Sequence, residues 1–271
     1  MSSTSGETIE RIADDLRAAA DGDPMPPIAD RIRHVADDTG TGAEEVAYAV
    51  QQHNVERAVA DRGTRVCGRK IGLTSTSVQA QLGVDRPDFG SLFADRCYGD
   101  GAQIDASRLI APRVEAEIAL VLKDELDLGQ HTLADVIRAT DFVLTAIEVV
   151  DSRIKDWSIG FLDTVADNAS GHSFVLGTVP HHLDGLDLAA VEIAMSIDGD
   201  VVSTGHGRDC LGNPLLAAVW LADALSAVGT PLRTGDVVMT GAVSPMAPFA
   251  AGQTVEADFG PLGTISVNAT D

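Results

Sequence analysis

Arg113-Val114-Glu115-Ala116-Glu117-Ile118-Ala119-Leu120 reads as an extended strand. Residues two apart share a face of such a strand, so Glu115 and Glu117 point one way while Val114, Ala116 and Ile118 point the other. The apolar face belongs in a core. The acidic face needs either water or a shared cation, because two like charges at that spacing repel. The same texture of short apolar runs broken by glycine and proline holds from Arg65 onward, and predicts strands over 114–122, 142–150, 173–176, 191–197, 237–240 and 264–267.

Helices are few in this part of the chain. One follows Asn213, a good N-cap, with Pro214 suited to the first helical position and Gly229 to the stop. A second is predicted over 132–139. Strands that do not alternate regularly with helices point to an α+β fold rather than a doubly wound one. The first sixty-odd residues differ. Ile9, Ile12, Ala13 and Leu16 recur at helical spacing over 7–20 until Gly22 and Pro24 end the run. A second helix follows Pro26-Pro27 with Ile28, Ile32 and Val35 on one face, and a third starts near Thr41, with Glu44 completing a capping box, and runs toward Ala60. The division expected is a helical N-terminal cap over 1–64 and a strand-rich domain over 65–271.

Composition narrows the function. With 41 acids against 19 bases the formal net charge is −22, a surface that repels nucleic acid and anionic membranes. Only Lys70, Lys123 and Lys155 are lysines, so the acid-rich, lysine-poor surface predicts activity retained at high salt. No run of eighteen apolar residues appears, and the N-terminus lacks the basic start and apolar block of a secretion signal, so a cytoplasmic enzyme is expected. Cys67, Cys97 and Cys210 are widely separated, which argues against a zinc site and against a disulfide framework.

The chemistry-bearing candidates begin with the two strand glutamates. Glu148 joins them, since it lies in the apolar run Thr145-Ala146-Ile147-Glu148-Val149-Val150, where an unpaired carboxylate is expensive. Such a residue wants an arginine, a metal or a proton. Three carboxylates with no His–Cys set beside them suit a hard cation such as Mg²⁺ or Mn²⁺. Lys70 sits between Gly68 and Gly72, which permit close approach of a ligand; it reads as a carboxylate binder, a proton carrier or a surface lysine beside a turn. Asp163, Asp167, Asn168 and Ser170 crowd one stretch as ligands, caps or turn residues, and Thr234-Gly235-Asp236 reads as a tight turn. His172 and His206 read as structural. No phosphate loop, zinc-protease motif or serine-hydrolase elbow is present.

Six stretches carry a resemblance: GRKIGLTS at 68–75, VQAQLGVDRPDFGSLFADRCYGD at 78–100, PRVEAEIALVL at 112–122, AIEVVDSRIKDWSIGFLDTVADNASG at 146–171, CLGNPLLAAVWLADAL at 210–225 and PLRTGDVVMTGA at 231–242. Together they resemble the 2-keto-4-pentenoate hydratases of the fumarylacetoacetate hydrolase superfamily, from about Gly68 to the C-terminus. The resemblance implies a mixed β-roll catalytic domain preceded by a helical segment and assembled into a homo-oligomer. It implies Mg²⁺ or Mn²⁺ on Glu115, Glu117 and Glu148, and places Lys70, Asp88 and Ser170 in the active-site lining. The implied reaction adds water to 2-hydroxypenta-2,4-dienoate, giving 4-hydroxy-2-oxopentanoate in meta-cleavage catabolism of aromatic rings, with association to a pathway decarboxylase or aldolase as a further implication. The rival readings are a metal-dependent decarboxylase of the 4-oxalocrotonate type, a hydratase of a longer dienoate, and a non-catalytic pathway subunit. The 85–100 segment is hydratase-like, and the intact glutamates and Lys70 oppose the third rival.

Overall fold

The computed structural model describes residues 7–20, 22–75, 79, 84 and 86–271, so positions 78, 80–83 and 85 of the second quoted stretch lie outside the described residues. Three helices open the chain: α1 (Ile9–Ala20), α2 (Ala29–Thr39) and α3 (Ala43–Arg62). Each buries the stripe its spacing marks out, Ile12, Ala13 and Leu16 on α1, Ile32 and Val35 on α2, and Val46, Ala47 and Val50 on α3.

The capping box expected at Thr41 does not form. Gly42 is the N-cap of α3, without a side-chain cap, and the helix starts late enough to leave Glu44 in the first turn. There its charge favours the positive helix end, and its carboxylate pairs with Arg86 instead. α2 also lacks a local cap. Asp163, far along the chain, accepts from the Ile28 and Ala29 amides at 2.6 and 3.0 Å and satisfies its orphan donors. The helical core takes in Ile154, Val165 and Ala166, and Gln51 Nε2 on α3 donates to the carbonyls of Phe89 and Val165 at 3.0 and 2.7 Å. The helices are thus fastened to the strand-rich part by buried polar bonds as well as by apolar contact.

After them come β1 (Val66–Gly72), β2 (Asp88–Phe93), β3 (Cys97–Gly99), β4 (Ala102–Asp105), β5 (Arg113–Leu122), α4 (Leu133–Ala139), β6 (Thr140–Val150), α5 (Phe161–Ala166) and β7 (Gly171–Leu176). The chain continues through β8 (Glu192–Ile197), β9 (Asp200–His206), α6 (Pro214–Ala227), β10 (Val237–Met239), β11 (Ala247–Pro248), β12 (Thr254–Asp258) and β13 (Thr264–Thr270). One sheet runs β2-β1-β10-β5-β6-β7-β3, with β11 also on β5, and the second runs β4-β13-β12-β8-β9. The pairs β1–β10, β3–β7 and β4–β13 are parallel and the others antiparallel, which makes both sheets mixed, as the α+β reading expected.

The main core lies between the sheets and α6, joining Val114, Ile118 and Ile147 to Met195, Val255 and Ile265, and to Ala217, Ala218 and Leu221. The segment Gly207–Ala227 is long and apolar enough to be weighed as a membrane span, but α6 buries Leu215, Leu221 and Leu225 in this core. It is the core helix of the domain. The opposite face of the first sheet is lined by Cys67, Leu92, Ala119, Ala146, Phe174 and Met239. That sheet curls hard. β2 and β7 are five strand spacings apart, about 24 Å if the sheet were flat, yet Cα atoms of the two strands come within 8 Å of each other. The curl makes a roll, and its concave face carries the polar groups. Cys67 and Cys210 are buried, Cys97 is exposed, and all three are free thiols.

Candidate active site

β5 and β6 pair antiparallel with Glu115 directly opposite Glu148 and Glu117 opposite Ala146. Same-face neighbours on one strand and a cross-strand pair therefore converge, and one oxygen from each of Glu115, Glu117 and Glu148 lies within 4.8 Å of the others. Among the described residues no other three His, Cys, Asp or Glu side chains converge in this way. Glu117 is 0% and Glu148 1% exposed; Glu115 is half-buried. Burial first, then the charge of Glu148, pushes the Glu115 carboxyl up to about 7, and the same two causes, with Glu115 added, hold Glu117 well above the usual range. Glu148 is also raised by burial, against the opposing pull of Lys70.

Partners are supplied to only part of this cluster. The Gly241 amide donates to Glu117 Oε2 at 2.8 Å and Lys70 Nζ to Glu148 Oε1 at 3.1 Å. Glu117 Oε1 and Glu148 Oε2 are buried with no hydrogen-bond partner. Leaving charged oxygens so is costly unless a cation meets them. The donor set is all oxygen, with no thiol or imidazole in it, and so fits a hard divalent ion such as Mg²⁺ or Mn²⁺.

Lys70 is 3% exposed, buried rather than beside a surface turn. Between Val66 and Gly68 the register of β1 shifts, so Cys67 joins the apolar lining of the concave face while Lys70, three residues on, also reaches into it. Its ammonium donates to the Ala169 carbonyl at 2.7 Å. Burial pulls its pKa down, but Glu148, Glu115, Asp88 and Glu117 together drive it above its ordinary value. The flanking glycines are needed for space. A Cβ at Gly68 would stand 1.9 Å from the Val237 carbonyl oxygen, and one at Gly72 would stand 2.2 Å from Asp88 Oδ1.

Asp88 begins β2 opposite Gly72 and is 1% exposed. Its Oδ2 accepts from Thr164 Oγ1 at 2.9 Å, and Oδ1 has no partner. Burial raises its pKa against the pull of Lys70. Ser170 is 3% exposed and its Oγ is likewise unpartnered. It ends a turn in which Asn168, Ala169 and Ser170 hold φ of 55, 49 and 53°, three successive non-glycine residues in the left-handed region. Strain of that kind persists only where the surroundings enforce it. Here the Asn168 side chain does so by accepting from the Ser91 amide at 2.7 Å and donating to the Ser91 carbonyl at 3.1 Å. Arg153 grips the Asp167 carboxylate and the Asp167 carbonyl, and donates to the Asp151 carbonyl at 2.6 Å. The turn in turn offers Lys70 the Ala169 oxygen.

The six residues singled out from the sequence therefore lie on the concave side of the roll, Ser170 through the turn whose Ala169 carbonyl meets Lys70. Four of the nine buried side-chain oxygens and nitrogens without partners belong to them, among the described residues, which marks this place as built for a ligand. Asp163 and Asp167 are not in it. Asp163 caps α2 and also accepts from the Gly160 amide at the start of α5, while Asp167 is held by Arg153. Thr234-Gly235-Asp236 is a turn in which Asp236 accepts from the Arg233 amide. His172 faces Arg96, and burial lowers its pKa to about 3, so it stays neutral; His206 lies at the surface beside Asp209. The sequence reading did not find the Gly241 amide, the Ala169 carbonyl, Thr164 or Arg153. Backbone donors leave no side-chain signal, although the glycines at 72 and 171 mark how tightly Asp88 and Lys70 are packed.

Residues 57–268 match the family model described as fumarylacetoacetate (FAA) hydrolase C-terminal. The chain is 54% identical over 230 residues to a 2-keto-4-pentenoate hydratase of Burkholderia vietnamiensis, covering 85% of this chain and 87% of that one. It is 49% identical over 267 residues to 2-keto-4-pentenoate hydratase 1 of Dechloromonas aromatica, covering 98% of both. Among solved structures it resembles a 4-oxalocrotonate decarboxylase from Pseudomonas putida G7, complexed with magnesium and adipate, at a TM-score of 0.86 and 33% identity, covering 96% of this chain and 97% of that one.

Proposed function

The chain belongs to the fumarylacetoacetate hydrolase family, and from that premise we propose a divalent-metal-dependent hydratase that converts 2-hydroxypenta-2,4-dienoate to 4-hydroxy-2-oxopentanoate. The observation that carries the reading is the convergence of Glu115, Glu117 and Glu148 with Lys70 paired to Glu148, and unpartnered oxygens on Glu117, Glu148, Asp88 and Ser170. The hydratase relatives are more alike to this chain than the decarboxylase is, which favours hydration over loss of carbon dioxide.

Hydration needs a proton delivered to C5 of the dienol while the 2-hydroxyl gives one up, giving an α,β-unsaturated 2-oxo acid, then addition of one water as hydroxide at C4 and a proton at C3. Mg²⁺ or Mn²⁺ held by Glu115, Glu117 and Glu148 would supply Lewis-acid stabilisation of negative charge on the 2-oxygen. The remaining tasks fall to the chain. Lys70 holds a proton at Nζ, aimed by the Ala169 carbonyl and Glu148, and carries the proton transfer. Asp88 Oδ1, the oxygen that Thr164 leaves unbonded, positions the water and takes its proton. Ser170 Oγ hydrogen-bonds the substrate. The buried, apolar-lined roll keeps bulk water from these groups. Assembly into a homo-oligomer belongs to the same reading, since Val201 and Val202 on the edge strand β9 are 66% and 45% exposed.

Loss of the substrate's ultraviolet band, followed in chelator-treated protein with and without Mn²⁺ or Mg²⁺, tests the proposal. Metal-dependent loss with 4-hydroxy-2-oxopentanoate as product is expected. No turnover by folded, metal-loaded protein, together with carbon dioxide release from 4-oxalocrotonate, would replace the hydratase by the decarboxylase.

A further inference from the structure

Arg113 is a cation that the mechanism above leaves unused. It precedes Glu115 by two residues on β5, so both side chains leave the same face of the strand, about 7 Å apart at the backbone. The residue is half-buried, and its charge acts on Glu115, lowering a carboxyl that burial raises. Its guanidinium stacks 4.5 Å above the Trp157 ring, and Nη1 lies 3.6 Å from Met246 Sδ. Trp157 is itself fixed: its indole N–H donates to the Ala111 carbonyl at 2.9 Å, and Asp156 and Trp157 hold φ of 57 and 53°.

Among the described residues no carboxylate oxygen stands within 4.0 Å of Arg113. A stacked guanidinium keeps its in-plane donors for one more partner, and their fork matches a carboxylate. We propose that Arg113 is a substrate-binding residue that takes the C1 carboxylate of the 2-oxo acid, at the outer edge of the Glu115–Glu117–Glu148 cluster. The inference rests on the hydratase reading, in which the substrate is such an acid. It also accounts for how an anionic substrate enters a strongly acidic protein: Arg113 receives it at the edge and Lys70 meets it inside.

The test titrates 2-oxopentanoate, an unreactive saturated 2-oxo monocarboxylate, into Mn²⁺-loaded wild type, Arg113→Met and Arg113→Lys, with Mn²⁺ affinity measured separately by electron paramagnetic resonance. Arg113→Met keeps an unbranched chain over Trp157, and Arg113→Lys keeps the charge while losing the fork. The expected result is unchanged Mn²⁺ affinity, a 2-oxopentanoate Kd raised about 10- to 100-fold in Arg113→Met and by less in Arg113→Lys, and KM rising more than kcat falls. Wild-type affinity for 2-oxopentanoate in Arg113→Met would overturn the role of Arg113 and leave the hydratase reading standing. Failure of Mn²⁺-loaded wild type to bind 2-oxopentanoate would overturn both.

Discussion

At the scale of single residues the site is a balance of buried charges. Lys70 is the one ammonium among Glu115, Glu117, Glu148 and Asp88, and it is stable there because those four carboxylates offset its desolvation. Lys70→Ala is expected to lower turnover by about 10²- to 10⁴-fold while Mn²⁺ binding persists; near-normal turnover would remove Lys70 from the chemistry. The carboxylates themselves predict a pH dependence. An acid with a pKa higher in the fold than in the unfolded chain binds its proton more tightly when folded, so stability is lost as pH rises between the two values. For Glu115 the window runs from 4.5 to about 7, with Glu117 extending it upward. Metal-free protein is therefore expected to melt at a lower temperature at pH 7.5 than at pH 5, with the difference shrinking when Mn²⁺ is added, because the ion prefers the deprotonated cluster. Melting curves with and without chelator at both pH values check this. The glutamates were legible in the sequence because their surroundings made them anomalous, two on one strand face and one in an apolar run. Arg113 and Arg153 were not, since an arginine's role is set by partners distant in sequence: Met246 and Trp157 for one, Asp167 for the other.

At the scale of elements the left-handed turn 168–170 and the remote cap by Asp163 do the positioning. Asn168→Ala removes both bonds to Ser91 and leaves the strained turn unsupported, so a loss of about 1–3 kcal/mol in stability and a larger fall in kcat than Lys70's distance from position 168 alone would suggest are expected; denaturant melts and kinetics on one preparation separate the two. Asp163→Ala uncaps α2 and frees the Gly160 amide, and about 2 kcal/mol of destabilisation is expected from the three donors left open. Urea unfolding followed by circular dichroism reads it, and an unchanged midpoint would deny Asp163 this role. Strands β5 and β6 were readable from long apolar runs, and α6 from Asn213 and Pro214. β1 and β2 were harder: glycines at 68, 72 and 90 interrupt them, and those glycines are there for close packing rather than for turns. The misplaced cap at Thr41 has a similar source, because the pairing of Glu44 with Arg86 is not visible in a local motif.

At the scale of the whole molecule the net charge of −22 dominates. Self-repulsion across such a surface weakens as salt shortens the screening length from about 10 Å at 0.1 M to about 3 Å at 1 M. The melting temperature is expected to rise between dilute buffer and molar KCl with activity retained; a steep loss of activity over that range would count against a salt-tolerant surface. The α+β class followed from the order of runs, but the curl of the first sheet did not, since it depends on which strands pair. That pairing bears on biosynthesis. β1 lies between β2 and β10, and Lys70 stands beside Met239. Glu117 likewise waits for the amide of Gly241. A ribosome that has released only the first two hundred residues has already made the β5–β6 pair with its three glutamates, but not the β10 strand that lies between β5 and β1. The strand that seats Lys70 beside β5 and the amide that holds Glu117 therefore come some ninety residues after the last of the glutamates themselves, and a product truncated before Val237 is expected to be inactive.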